Sequence, residues 1–458
     1  MGLAGCAMVS AAALAQADPV GDVLRMSQPA LQPAPGQSRP DQDLPEPAPE
    51  NPALPSQTQS GQPVPLIPET QLARPSWALA DARALLGVIE GIGAEGLEPA
   101  DYRPDALRAA IAAGAGPELD GAITTSLRWL IEDLRDGRTP MSARRQWFVV
   151  DPDAEALPTE ALIAELKDKG GIAGLVERLA PVHPDYARLR EELAVTPPED
   201  AERRALIRAN MDRWRWLPRD LGPRFLRVNV PEFQLRLNVG GKVIRTYRTI
   251  VGKPGRTATP QLMETATGII FNPTWTVPQS IVRGEGLGAR LLANPASARA
   301  RGYKVTRGAD GTVHVVQQPG PNNSLGLMKI DMPNPHAIFL HDTPAKQLFD
   351  TQVRAYSHGC IRVERATELA ITLAILHAGL TPEEGVAHTQ SGVYTRVPFT
   401  STFPVYISYF TMGQDVDGQL ATFPDLYERD GPVLESLAKP RQQIRPRTST
   451  EKVEELGV

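Results

Sequence analysis

Cysteine is nearly absent from this sequence. Cys6 and Cys360 are its only two in 458 residues, so no disulfide framework holds the chain together. Positive charge is not in excess either: the formal net charge is −5 and the pI is near 5.9. With no basic stripe, nucleic acid is not expected as a partner. The body of the chain lacks any apolar run of about 18 residues, so no internal membrane span is expected. There is no C-x-x-C, H-x-x-x-H or H-E-x-x-H spacing, which weakens zinc as a reading of the Cys and His residues. "GEGLGA" (284–289) lacks the strand–helix context of a phosphate loop. No internal repeat is evident, and no metal or cofactor is expected.

Proline, by contrast, is plentiful. Fourteen of the 44 prolines lie between Pro19 and Pro75, among Gln, Asp, Glu and Ser. Residues 18–75 therefore read as a disordered linker, too poor in apolar surface to offset the entropy of ordering. Before it, "MGLAGCAMVSAAALAQADP" is a small-apolar run ending in Ala15-Gln16-Ala17, read as a signal-peptide remnant (1–17) cleaved after Ala17. The positively charged leader of such a peptide is missing. The prediction is export to the periplasm. Leu3-Ala4-Gly5-Cys6 also reads as a lipoprotein box, with only two residues before it. If Ala17 is the cleavage point, Cys360 is the sole cysteine of the mature chain.

Residues 76–198 read as a helical block, structural or partner-facing. Ser76 is a candidate cap for a helix with Leu79, Leu85, Leu86 and Ile89 on one face, closed by Gly91 and Gly93. A second helix runs from about Ile123 to Leu134 and stops at Gly137, and others are expected near 159–168 and 171–179, followed by Pro181 and Pro184. "AERRALIRANMDRWRW" stacks Leu206, Ile207, Met211 and Trp214 before Pro218. From about residue 222 the period becomes two: Leu226/Val228/Val230, then Leu235/Leu237/Val239, with Gly240-Gly241 as a hairpin turn. Further strands are expected at Gly268–Phe271, His314–Gln317, Ala337–Leu340 and Val405–Phe410. The fold class is α+β, multidomain: a helical block, a mainly β domain over 199–430, and a disordered tail at 431–458.

The chemistry concentrates around "YSHGCIRVE" (356–364). A thiol is mostly protonated at neutral pH and needs a base or a stabilising cation to act as a nucleophile. His336, His341 and His358 lie within 25 residues of Cys360. His341 closes an apolar run that reads as a strand. His358, two residues before Cys360, shares its face in an extended segment. Both are candidate bases on geometry alone. Gly359 has no Cβ, so the N–H groups of Gly359 and Cys360 are candidate oxyanion donors. After Arg362 the pattern turns helical through Ala366, Leu369, Ala370 and Leu373, placing a helix dipole near the thiol. Zinc ligation, and a buried cysteine without chemistry, are the competing readings.

"FLHDTP" (339–344) followed by "RAYSHGCIRVE" (354–364) resembles the active-site signature of YkuD-type L,D-transpeptidases. "VGKPGRTATP" (251–260), "FNPTWTVPQSI" (271–281), "PGPNNSLGLMKI" (320–330) and "SYFTMGQDVDGQLATFPDLYERD" (408–430) resemble the YcbB-type branch, and "GLEPADY" and "DLRDGR" its scaffold domain. The resemblance implies a β-sandwich catalytic domain with a capping subdomain at about 283–325. It implies Cys360 as nucleophile and His341, rather than His358, as general base. His358, Gly359, Ser357 and Arg362 then shape the site, with Tyr356, Trp275 and Asn322 as candidate substrate contacts. A backbone carbonyl is the expected partner of His341, since the neighbouring Asp342 side chain should face away.

By the same resemblance the partners are peptidoglycan stem peptides: a tetrapeptide donor and an acceptor amine on the third residue. The products are 3→3 cross-links made through a thioester, with sensitivity to carbapenems. A hydrolase on the same scaffold and a non-catalytic wall-binding protein are the alternatives. Cell-wall synthesis proteins are possible partners of the helical block, and the oligomeric state is left open. The stretch 190–211 leaves no room for the peptidoglycan-binding domain usual in this branch.

Overall fold

The computed structural model describes residues 76–149, 153–443 and 451. The expected signal remnant, Cys6 and the proline-rich linker lie outside them. The helical block is built on α1 (Leu79–Gly91), α2 (Pro104–Ala113), α3 (Pro117–Asp136) and α4 (Thr159–Lys169). Their core is Ala82, Leu85, Ile89, Ile123, Leu127, Leu130, Leu134, Leu162 and Leu166, all buried, which is the three-to-four spacing of one helix face.

Ser76 does not cap α1. The cap position is Ala78, whose N–H donates to Asp81 Oδ2. Trp77 holds the chain outside the helix: its N–H donates to Asp120 Oδ1 (2.7 Å), its Nε1 donates to Thr124 Oγ1 (3.3 Å), and its ring is buried. Nor does Gly93 close the helix end. A short 3₁₀ turn continues through Glu95 to Gly96, whose φ of +72° makes the left-handed stop. Pro184, expected only as a break, is the first residue of α5 (Pro184–Val195), where a missing N–H costs nothing.

The next helix, α6 (Ala201–Trp214), follows α5 after five residues, 196–200, and joins the two halves of the molecule. Asp212 at its end is fully buried. Its carboxylate accepts from the N–H groups of Arg138 (2.6 Å) and Thr139 (2.9 Å) and from Trp216 Nε1 (3.0 Å). Burial pushes its pKa up, but Arg215, Arg144 and these N–H donors outweigh burial and hold it below the usual range. Gly137, which stops α3 at φ +83°, lies against the Trp216 ring; a Cβ there would sit 2.5 Å from Cδ1. "DLRDGR" and "DRWRW" are thus two sides of one junction.

The β half has β1 (Arg224–Asn229), β2 (Gln234–Val239), β3 (Lys242–Gly252) and β4 (Leu262–Phe271) in chain order. Gly240 and Gly241, at φ +58° and +75°, make the expected β2–β3 turn. After the cap come β8 (Met328–Asp331), β9 (Leu340–His341), β10 (Ala355–Ser357), β11 (Ile361–Val363) and β12 (Thr395–Ser408). They form one nine-stranded sheet, ordered β10-β3-β11-β9-β8-β4-β12-β1-β2. It closes on itself because β3 pairs with β2 over its first half, then with β11 and β10. A helix, α10 (Ala366–Ala378), buries Leu369, Ala370, Ile371, Leu373 and Ala374 in the core so enclosed.

Between β4 and β8 lies the cap. Its strands β5 (Trp275–Thr276), β6 (Tyr303–Arg307) and β7 (Val313–Gln317) form a separate sheet. They enclose α7 (Gln279–Gly284), α8 (Leu287–Ala293) and α9 (Pro295–Ala300) around a small core of Val277, Val282, Leu291, Ala298 and Val315.

The expected strand at Ala337–Leu340 shrinks to Leu340–His341. Asn334 pins the run-up instead: its Oδ1 accepts the Ile338 N–H, its Nδ2 donates to the Met332 and Ile338 carbonyls, and Ala337 takes φ +53°. The strand expected at Val405–Phe410 ends at Ser408 and reaches back to Thr395, across an irregularity between Pro398 and Phe403. The tail is corrected as well. Asp430–Ala438 is a helix, and beyond it Arg441 returns to the helical block, its Nε donating to Asp133 Oδ2 (3.0 Å) and its Nη2 to Glu132 Oε2 (2.8 Å). Its pairing on both sides offsets the cost of burying that arginine. Residues 444–450 and 452–458 lie outside the described residues.

Candidate active site

Neighbouring strands β8, β9 and β11 build the site. Lys329 of β8 stands opposite His341 of β9, and His341 opposite Arg362 of β11. Residues opposed across a ladder share a face, about 5 Å apart. Cys360, two residues before Arg362, falls on that face too. Sheet register therefore puts His341 and Cys360 on one face, which sequence spacing could not do.

The His341 ring is buried, and its Nδ1 lies 2.5 Å from the Asp342 carbonyl. A carbonyl can only accept, so Nδ1 carries the proton and Nε2 keeps its lone pair. The partner is a backbone carbonyl. The Asp342 side chain faces elsewhere: it accepts the Leu327 N–H (2.9 Å), pairs with Lys346, and covers Gly326, where any Cβ would strike it.

Burial, then the Arg362 and Lys329 charges, lowers the His341 pKa to about 3 against the opposing Asp342 and Leu325 backbone. Burial also pushes the Cys360 thiol up, against the pull of the Phe339 backbone, Lys329 and Arg362. The resting pair is a neutral thiol and a neutral imidazole. The thiol Sγ donates weakly to the Ala337 carbonyl at 3.5 Å. The dipole of α10 does not help here: β11 carries the chain about 10 Å from Cys360 before α10 starts.

Ser357 shapes the loop. Its Oγ donates to the Cys360 carbonyl (2.5 Å) and accepts the Gly359 N–H (3.2 Å). The Gly359 N–H, expected as an oxyanion donor, is thus engaged inside the loop, and Gly359 itself bends it at φ +114°. The Cys360 N–H has no acceptor among the described residues. His358 points away from the thiol, with Nε2 2.6 Å from Glu285 Oε1 of the cap. His336 is buried against the Phe148 ring, centroids 4.3 Å apart.

Tyr356 is half-buried, its hydroxyl donating to Thr351 Oγ1 (3.3 Å). Trp275 packs on the cap's core, and Asn322 is exposed, its carbonyl accepting from Gln317 Nε2 (2.8 Å). No hydrogen bond or ring contact joins these three to Cys360 or His341 among the described residues. A 330 Å³ groove lined by Arg283, Asp310 and Val313 lies in the cap and contains no candidate catalytic residue.

Sequence reasoning missed three residues. Thr259 Oγ1 donates to the Gly359 carbonyl (2.8 Å) and accepts the Gly252 N–H (2.9 Å). Tyr427 closes the same network, donating to the Gly252 carbonyl (2.6 Å) and accepting the Thr259 N–H (3.2 Å). Lys329 is the third. All three lie in or beside the stretches quoted for their resemblance, but nothing local distinguishes them there.

Comparison with known proteins agrees with this architecture. The family described as the L,D-transpeptidase catalytic domain, YkuD, matches residues 223–405, and the Scaffold domain family matches residues 71–193. The chain therefore carries an L,D-transpeptidase catalytic domain behind a scaffold domain, consistent with a YcbB-like architecture. A Haemophilus influenzae relative named "Putative L,D-transpeptidase" is 30% identical over 218 residues, which is 44% of this chain and 44% of that protein. The match thus spans less than half the relative's length. Two solved structures are similar in part. An L,D-transpeptidase from Mycobacterium smegmatis is 15% identical over 41% of this chain and 58% of its own, with a TM-score of 0.20. L,D-transpeptidase 1 of Mycobacterium tuberculosis is 14% identical over 42% and 63%, with a TM-score of 0.19.

Proposed function

We propose that the chain is an exported peptidoglycan L,D-transpeptidase that makes 3→3 cross-links through a thioester on Cys360. The carrying observation is that β9 and β11 put His341, in its Nδ1–H form, on the same face as Cys360. His341 Nε2 takes the thiol proton as Sγ attacks the carbonyl joining the third residue of a tetrapeptide stem to its terminal D-alanine. The free Cys360 N–H donates to the oxyanion; such a donor contributes about 3–4 kcal/mol. The protonated imidazole returns its proton to the leaving amine, and D-alanine departs. The side-chain amine of a second stem's third residue then attacks the thioester, His341 takes its proton, and the thiol is restored. Water in place of that amine would give a carboxypeptidase. A carbapenem carbonyl would be open to the same attack by Sγ.

Because both groups rest neutral, proton transfer and attack belong to one step that requires substrate. Among the described residues no helix is long and apolar enough to cross a membrane. The site of action is proposed from the substrate and from the expected signal.

Purified protein incubated with disaccharide-tetrapeptide, with products read by mass spectrometry, tests the reading. A dimer that has lost one D-alanine supports it, and Cys360→Ala should abolish that product. Tripeptide alone would replace transpeptidase by carboxypeptidase. No product and no adduct on Cys360 would refute both.

A further inference from the structure

Lys329 and Arg362 are cations with no directly paired carboxylate; Asp331, two residues from Lys329, acts on Lys329 electrostatically but is ion-paired to Arg396. They flank His341 in one row across β8, β9 and β11, and Arg362 is two residues from Cys360 on the same face. Among the described residues no carboxylate forms an ion pair or hydrogen bond with either. The Arg362 Nε is buried and has no hydrogen-bond partner. The Lys329 ammonium lies over the Phe339 ring, 3.4 Å from its centroid, and Phe339 is the residue whose carbonyl accepts the N–H next to Cys360, that of Ile361. The Lys329 charge thus leans toward the thiol. Burial lowers the pKa of both cations, with Cys360 acting in the opposite direction on each and Asp331 doing so on Lys329. Two half-buried cations without a direct ion pair carry a desolvation cost that an arriving anion would relieve. The fully buried Arg236 and Arg227, by contrast, are ion-paired, with Glu232 and Asp185.

We propose that Lys329 and Arg362 form a carboxylate-binding site beside Cys360 that holds a carboxylate of the donor stem during acylation. The proposal rests on the peptidoglycan reading above for the identity of the ligand, not for the existence of the site. A donor stem offers two carboxylates near the scissile carbonyl. One is the free C-terminus of the leaving residue. The other is on the third residue's side chain, where that residue is a dicarboxylic diamino acid. Arginine's fork suits a bidentate hold on a carboxylate, and lysine adds a second charge.

The existence of the site is tested without turnover, by alkylating Cys360 in the full chain. Iodoacetate and iodoacetamide react alike: the Sγ–carbon bond forms, iodide leaves and the thiol proton is lost. Both report the same thiolate fraction, so their rate ratio cancels the thiol pKa and isolates attraction for the carboxylate. Modification of the Cys360 peptide is followed by mass spectrometry against a free thiol peptide. The expected iodoacetate-to-iodoacetamide ratio exceeds the peptide's by about tenfold or more, as for charge-assisted hydrogen bonds. It should fall toward the peptide's value in Lys329→Met and in Arg362→Gln. In the wild type, acetate should slow iodoacetamide alkylation more than chloride does at equal ionic strength, which needs no variant to fold. A wild-type ratio equal to the peptide's, or no acetate effect, overturns the site.

Donor stems amidated at the C-terminus, or at the third residue's side chain, then distinguish the two sources. Whichever amidation lowers kcat/KM about tenfold in the wild type, but little in Lys329→Met, names the carboxylate held. Insensitivity to both overturns its role in acylation. An alkylation preference without any turnover would leave the site standing and remove the transpeptidase reading, and turnover without the preference would do the reverse.

Discussion

His358 Nε2 lies 2.6 Å from Glu285 Oε1, tying the loop that carries Cys360 to the end of α7 in the cap. Both side chains are exposed by more than a third, so the tie is weak, at most about 1 kcal/mol. That suits a contact that opens and closes. Glu285→Gln should raise KM two- to fivefold, an estimate of about that energy, and change kcat less. Raising salt should raise the wild-type KM and leave the variant's nearly constant. Steady-state kinetics at two ionic strengths checks both.

Thr259 holds the Gly359 carbonyl, and through it the peptide that aims the Cys360 N–H. Thr259→Val keeps the shape and removes the hydroxyl. Acylation should slow by about tenfold, the worth of one hydrogen bond to a misaimed donor. Thr259→Ser should restore it. The decisive reading is the rescue, since a general loss of packing would leave the serine variant no better.

Arg441 should matter to stability and not to chemistry. It is buried, ion-paired to Asp133 and Glu132, and lies over the Trp129 ring at 4.9 Å. Removing it leaves Asp133 fully buried with one fewer cation. Arg441→Ala should cost about 3 kcal/mol in urea unfolding of the scaffold, with kcat of the remaining folded enzyme unchanged.

Acid should destabilise the fold between pH 6.5 and about 4. His341 and His183 have folded pKa values lowered to about 3 and about 4, chiefly by burial. Above 6.5 both are neutral folded or unfolded. Below it the unfolded chain takes up protons that the folded chain refuses, at about 1.4 kcal/mol per pH unit per group. His341→Gln should flatten that slope, measured as urea midpoints from pH 7 to 4, leaving the part due to His183, His336 and His377, which burial also lowers.

The alkylation profile of Cys360 should rise late. With burial pushing the thiol up, the iodoacetamide rate should climb through a midpoint above that of a free cysteine, near 8.5. A midpoint below 8 would mean a preformed thiolate pair and a different first step.

Much of this was legible in the chain. The Gly240-Gly241 turn, the Gly137 stop and the periods of α1, α3, β1 and β2 are local, so sequence carries them. The features that escaped did so for physical reasons. β12 hides behind Pro398 and Pro404, which pair in register with Gly268 and Thr265 on either side of an irregular segment. Pro184 reads as a break or a start according to whether the residues after it form a helix. Arg441 looked like tail because its partners lie some three hundred residues away.

The sequence by itself determined the candidate nucleophile, through the rarity of cysteine and the residues around Cys360, and it left two histidines as candidate bases until family resemblance favoured His341. Only the tertiary structure put His341 in line with Lys329 and Arg362, turned His358 to the cap, and engaged the Gly359 N–H inside its own loop. The reason is that strand register joins residues from separate stretches, and burial sets the charge of a thiol or an imidazole. Both depend on what packs around a residue, which no local spacing encodes.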